Sequence, residues 1–153
     1  MNKQQVIGWR ERIDLPDWDI CGLLAKSDTG ANSSAIDVAW IKELPGNRVR
    51  FGVRLSRKNT ALVKEVEADI LRKTRVRSSN GKSVERIIVA TNIQMGPIFK
   101  QVEFGLVCRK KMLCRILLGR KAIEGDFLVD CSARHLHTHT PDRVTSAPGE
   151  PDH

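Results

Sequence analysis

Tyrosine is absent from the chain, and Trp and Phe bring the aromatic share to only 5% of 153 residues. Proteins that grip single-stranded bases do so largely by stacking them on aromatic side chains, so this scarcity counts against sequence-specific RNA binding. No stretch approaches the roughly 18 to 20 consecutive apolar residues that a membrane span requires. The opening "MNKQQVIGWRERID" lacks the apolar centre of a signal peptide, and the expectation is a soluble, cytoplasmic protein. The four cysteines, Cys21, Cys108, Cys114 and Cys131, form no CxxC pair, which leaves no signal for a zinc ribbon or a thioredoxin-like site; core thiols in a reducing compartment are expected. Neither His-x-Glu-x-x-His nor a Walker A loop occurs, and no metal and no cofactor is expected. Acidic residues are also in deficit. Lys and Arg number 26 against 18 Asp and Glu, a formal charge of +8 that favours anionic partners without choosing among them.

What is present is alternation. In "RVRFGVRLS" Val49, Phe51, Val53 and Leu55 share one face and Arg48, Arg50 and Arg54 the other, the period of a half-buried strand with a basic outer side. "IIVATNIQM" and "IFKQVEFGLV" alternate in the same way around Gly96-Pro97, which predicts an antiparallel hairpin. Shorter strands are expected near residues 6–13, 22–27 and 36–41. "LVKEVEADILRK" fits a helix or a strand, with the alternation of Val66, Ala68 and Ile70 tilting toward strand. "RKAIEG" after Gly119 predicts one short helix. From Ser132 the composition turns to Ser, Thr, His and Pro, so residues 1–131 read as one domain and 132–153 as a disordered polar tail. The fold class expected is all-β, mainly antiparallel, in a compact barrel or sandwich.

Three separated stretches carry the chemistry. "AKSDTGANSSAI" places Asp28, Thr29 and Gly30 at the end of an apolar run; "VRSSNGKSVE" places Ser78, Ser79, Asn80 and Gly81 between alternating segments, where Asn-Gly favours a tight I′ hairpin turn; "ILLGRKAI" closes on Gly119 and Arg120. Together they resemble the retropepsin-like aspartic proteases, whose parts are an Asp-Thr-Gly loop, a hairpin flap and an apolar segment ending in Gly-Arg. With "IGWRERIDLP" at the start, the four blocks in order more closely resemble a bacterial family of retropepsin-like aspartic endopeptidases often labelled ATP-dependent zinc proteases. That resemblance implies an acid-protease barrel and a hydrolase. It also implies a catalytic Asp28, supported by Thr29 through hydrogen bonds across a two-fold axis and by Gly30, which keeps the backbone close to substrate. Residues 78–81 would cover the cleft. The family's association with enzymes that add glutamate to a ribosomal protein implies an acidic, glutamate-rich substrate, and nucleic acid only indirectly through the ribosome.

Peptide hydrolysis by this route needs one carboxylate to deprotonate water while a neighbouring carboxylic acid serves the carbonyl oxygen. Carboxyls about 3 Å apart cannot both ionise easily, so they share a proton and titrate as a unit. A chain with one Asp-Thr-Gly must therefore borrow its second acid from another copy, and a two-fold homodimer is expected. Two departures from the pattern stand out. Where retropepsins pair the Arg with an acid after the loop, this chain has Asn32 opposite Arg120. Where the bacterial family commonly carries His, it has Asp37, which removes one possible metal ligand.

Each feature has a plainer reading. Asp28 could end a strand, Asn80-Gly81 could be an ordinary turn, and Gly119-Arg120 could merely start a helix. His135, His137 and His139 would share a face of an extended segment and so invite a zinc site, but no acid or Cys cluster completes the coordination. "RLSRK", "LRKTRVR" and "CRKK" are either solvated faces or a field that steers an acidic substrate. The competing functions are a non-catalytic basic module that binds an acidic partner or the ribosome and, less well supported, a small RNA-binding barrel.

Overall fold

The structure is a computed structural model that describes residues 4–77 and 80–137. Its strands are β1 (Gln5–Gly8), β2 (Arg10–Leu15), β3 (Ile20–Ser27), β4 (Ser34–Leu44), β5 (Arg48–Arg54), β6 (Val63–Asp69), β7 (Arg72–Arg77), β8 (Ser83–Met95), β9 (Ile98–Val107), β10 (Ile116–Leu118) and β11 (Phe127–Asp130), with a helix α1 at Arg120–Ile123. The fold is all-β and retropepsin-like, and most of its strand pairs are antiparallel. Strands run β10-β3-β2-β8-β9-β4, and β4 pairs back onto β10, which closes a barrel. β5 and β6 extend outward from the far half of β4, and β7 pairs with the first half of β8. No helix among the described residues is long and apolar enough to cross a membrane.

The alternation seen in the sequence becomes the barrel wall. Ile13, Leu23, Ile36, Val49, Phe51, Val89, Ile93, Phe104 and Ile116 are fully buried, and each such side chain contributes about 1.5–3 kcal/mol by leaving water. The β8–β9 hairpin pairs Met95 with Ile98, so Gly96-Pro97 is a two-residue loop. Gly96 has φ +58, the value the first loop position of a II′ turn needs, while Pro97 is confined to negative φ. The ambiguous 62–73 stretch is strand from Val63 to Asp69 and again from Arg72, broken at Ile70 and Leu71, and the short helix after Gly119 is present.

Three expectations need adjusting. The strand over 6–13 is two strands, because β1 pairs with β11 whereas β2 pairs with β3 and β8; the break is at Trp9, whose N–H donates to the carbonyl of Ala133. Pairing in the β7–β8 hairpin ends at Arg77 opposite Ser83, so five residues, not two, make the loop at Asn80-Gly81. Arg54 does not share the solvated face of Arg48 and Arg50. Those two meet Glu67 and Asp69 across the strand pair, but Arg54 lies at the end of β5, over Asp37, and is buried.

Residues 132–137, grouped by composition with the polar tail, are docked. The buried Glu11 carboxylate accepts hydrogen bonds from the backbone N–H groups of Gly8, Leu136 and His137 at 2.8–2.9 Å, and His137 Nε2 lies 2.8 Å from the carbonyl of Val6. Residues 138–153, with His139, lie outside the described residues.

Asp37 is wholly buried in β4, and Arg115, equally buried, hydrogen-bonds it through Nη1. Arg54 donates to its other oxygen at 2.7 Å, as does the backbone N–H of Arg109 at 2.8 Å. Removing one partner of a buried ion pair strands the others without compensation, at a cost of about 3–5 kcal/mol. Asp37→Ala should therefore lower the urea midpoint of unfolding with little change in slope, and Asp37→Ala should cost clearly more than Glu67→Ala on the exposed face. Equal losses would contradict the buried hub.

Candidate functional site

β3 delivers the chain to Asp28, and β4 takes it away from Ser34; the loop between them is clasped from behind by β10 and α1. Asp28 N–H donates to the carbonyl of Leu118 at 2.8 Å, Arg120 N–H to Ala31 at 2.8 Å, and Lys121 N–H to Asn32 at 3.1 Å. The Ser34 hydroxyl accepts from Gly119 N–H at 3.0 Å. β10 can come this close because Gly119 has no Cβ: one would sit 2.5 Å from the carbonyl oxygen of Ser33 and 2.9 Å from the carbonyl carbon of Asn32, both backbone atoms. Arg120 completes the clasp by donating from Nη1 to the carbonyl of Thr29 at 2.9 Å. This arginine therefore braces the loop through a main-chain carbonyl instead of an acid, consistent with the presence of Asn32 where an acid would otherwise stand.

Within the loop Asp28 Oδ1 accepts the N–H of Gly30 at 3.2 Å, a local turn that aims the carboxylate along the loop, and a Cβ on Gly30 would lie 3.3 Å from that same oxygen. Asp28 is half-buried; Thr29 and Gly30 are exposed. Among the described residues, Asp28 Oδ2 and the Thr29 hydroxyl make no hydrogen bond within the chain. The clasp thus holds the loop's main chain at Asp28, Thr29, Ala31 and Asn32 without using Asp28 Oδ2 or the Thr29 hydroxyl.

The sequence-predicted residues Asp28, Thr29, Gly30, Gly119 and Arg120 are brought together in this way. Asn80 and Gly81 stand apart from them at the β7–β8 loop, with Gly81 at φ +84 and Lys82 N–H donating to Asn80 Oδ1 at 3.2 Å; Ser78 and Ser79 lie outside the described residues. A cavity of about 210 Å³ beside the loop is lined by Ser33, Ser34, Arg72, Glu103 and Lys121, among others, but not by Asp28. Among the described residues no group of three or more His, Cys, Asp or Glu is arranged to hold a metal. Sequence reasoning named Asp37 only as a departure from the family pattern and Arg54 only as a solvated-face cation, and missed their pairing and Arg115. The available signal was the charge of Asp37 in "SAIDVA", an acid inside a strand whose neighbours are apolar.

The chain belongs to the family described as retropepsin-like aspartic endopeptidase RimB, which matches it over residues 6–140. It is 30% identical over 130 residues to a Shewanella pealeana protein called a probable alpha-L-glutamate ligase, covering 83% of this chain and 28% of that one. A Parasynechococcus marenigrum protein of the same description is 27% identical over 138 residues, 88% of this chain and 30% of that one. The chain thus spans less than a third of the length of these curated relatives. A Legionella pneumophila crystal structure described as having unknown function (DUF785) superposes with a TM-score of 0.74 at 26% identity, covering 89% of this chain and all of that one.

Two predictions test this geometry. Gly119→Ala forces backbone apart where β10 meets the loop and should destabilise the protein by about 1–3 kcal/mol, read as a lower denaturant midpoint. A change within experimental error would show that the contact is slack. The exposed Glu103 carboxyl is held below the usual range, chiefly by its hydrogen bond to Arg72 at 2.6 Å. A depressed carboxyl stabilises the fold above its ordinary pKa, and that contribution disappears as pH falls through the lowered folded value. Glu103→Gln should therefore lower Tm slightly at neutral pH and not in strong acid; an equal shift at both would contradict the ion pair.

Proposed function

We propose that the protein is an aspartic endopeptidase that hydrolyses peptide bonds as a two-fold homodimer, with Asp28 from each subunit forming the catalytic pair. The observation that carries this reading is the clasped loop: β10 and α1 hold its main chain at Asp28, Thr29, Ala31 and Asn32, while Asp28 Oδ2 and the Thr29 hydroxyl make no hydrogen bond within the chain among the described residues. One carboxylate alone can act as base or acid but not as both in the same step, so the reaction calls for a second acid. The twin loop supplies it if two such loops meet on an axis. In that arrangement one Asp28 takes a proton from water, the other donates to the carbonyl oxygen, and the proton later passes to the leaving amine. Thr29 hydroxyls brace the pair, Gly30 leaves room for the peptide backbone, and residues 78–81 close over the substrate.

The substrate class favoured is a glutamate-rich peptide or protein tail. The formal charge of +8 supports an acidic substrate, and the matched relatives carry names that concern glutamate chemistry. A second reading, a basic module that binds an acidic partner or the ribosome without turnover, is supported by the same charge. It predicts a stable monomer, or a dimer with the two Asp28 side chains far apart, and salt-sensitive binding without products.

Incubation of the purified chain with a pentaglutamyl-tailed peptide should release shorter products, and Asp28→Asn should reduce the rate by about 100- to 10,000-fold or more. Sedimentation should show a dimer at the concentrations where cleavage is seen. Cleavage unchanged by Asp28→Asn, or full activity in a monomer, would overturn the proposal.

A further inference from the structure

A second feature lies away from the Asp28 loop. Between the β7–β8 hairpin and the loop that follows β9 runs a groove of about 450 Å³, whose lining includes Arg77, Arg86, Arg109, Val76, Val84 and Leu106. Some surface arginines meet acids: Arg48 pairs with Asp69 and Glu67, and Arg72 with Glu103. In the groove they do not. Among the described residues the side chains of Arg77, Arg86 and Arg109 make no ion pair, and the one acid in the lining, Glu85, lies 3.9 Å from Lys73.

Arg86 is the more deeply set. Its aliphatic stem lies across Gly105, where a Cβ would come within 2.5 Å of Arg86 Cδ, so the guanidinium is held against the β8–β9 wall instead of sweeping through solvent. Burial, and after it the charge of Arg109, pushes the Arg86 guanidinium below its ordinary value. The opposite side is fixed as well. Arg109 begins a loop whose main chain is tied down by the buried Asp37, which accepts the Arg109 N–H at 2.8 Å and also holds Arg115. Met112 N–H closes the turn onto the carbonyl of Arg109 at 2.9 Å. The Arg86 guanidinium is held by packing, and the Arg109 side chain springs from a main chain fixed by Asp37, so two cations line one groove; Arg suits a carboxylate because it can offer two parallel N–H donors.

We infer that this groove is a carboxylate subsite that receives a Glu or Asp side chain of an acidic peptide, with Arg86 and Arg109 as its ligands. The inference rests on the peptidase reading for its substrate but concerns binding, which can be read without turnover. A peptide is favoured over nucleic acid because no aromatic lines the groove to stack a base, whereas Val76, Val84 and Leu106 offer apolar wall to the methylenes of an acidic side chain.

The test is calorimetry on the full chain carrying Asp28→Asn, titrated with N-acetyl-pentaglutamate and with N-acetyl-pentaglutamine. The glutamate peptide should bind and the glutamine peptide should not. Arg86→Gln and Arg109→Gln on that background should each weaken binding at least about tenfold, whereas Arg48→Gln, which removes the same charge from a distant paired site, should change it less than about twofold. Arg109 is exposed, so its variant keeps the test decisive if Arg86→Gln fails to fold. Equal effects at Arg48 and Arg109 would reduce the result to net charge and overturn the subsite. Tighter binding of an oligouridylate that displaces the peptide would overturn it in favour of nucleic acid. Persistent cleavage by the Asp28→Asn chain would sink the peptidase reading alone, because the arginine comparison does not depend on it.

Discussion

The structure depends on the close approach of β10 to the Asp28 loop. A three-residue strand lies parallel to β3 and antiparallel to β4, and it closes the barrel only because it can pass directly behind the loop that joins those two strands. The passage requires a residue without a side chain at Gly119, a hydroxyl at Ser34 to take its N–H, and an arginine at 120 long enough to reach the carbonyl of Thr29. Once these are in place, the loop's main chain is held at Asp28, Thr29, Ala31 and Asn32 without recourse to Asp28 Oδ2 or the Thr29 hydroxyl. A carboxylate whose backbone is fixed before substrate arrives loses little freedom during reaction, which is the condition for efficient acid–base chemistry.

A second constraint acts further along the same strand. β4 changes partners at Asp37 and Val38, from β9 and β10 on one side of this point to β5 on the other. Asp37 sits at the changeover and binds one group from each neighbour: Arg54 from β5, Arg115 from just before β10, and the main chain of Arg109 just after β9. A buried carboxylate with two guanidiniums is a weak source of net stability, since desolvation consumes most of the Coulomb gain. Its effect here is positional. It sets the base of the 108–115 loop and so the place from which Arg109 reaches into the groove. Glu11 does comparable work on β2, where its carboxylate gathers the N–H groups of residues 8, 136 and 137.

Much of the barrel was legible because burial on one face of a strand leaves a period of two in the residues, and β5, β8 and β9 carry that period plainly. The loop of Asp28 and its Gly-Arg partner were legible for a different reason: residue types with few chemical substitutes recur in a set order. What escaped reading was long-range. Nothing near Trp9 announces that the carbonyl of Ala133 interrupts a strand there. The loss of Arg54 from its solvated face depends on Asp37, 17 residues away, and Arg115 meets the same carboxylate across 78 residues. Local alternation puts Arg54 with Arg48 and Arg50; tertiary packing overrides it with one buried acid. The Asn-Gly pair likewise carries the chemistry of a two-residue turn, yet the cross-strand register ends earlier and opens a five-residue loop.

Acid–base chemistry at this loop depends on the position of two carboxylates. The most direct measurement is the separation of the Asp28 side chains in a structure of the protein's oligomer. The account predicts a two-fold axis with the two carboxyls within hydrogen-bonding distance of each other or of one shared water. A monomer at all working concentrations, or a dimer whose Asp28 loops face away from each other, would contradict it.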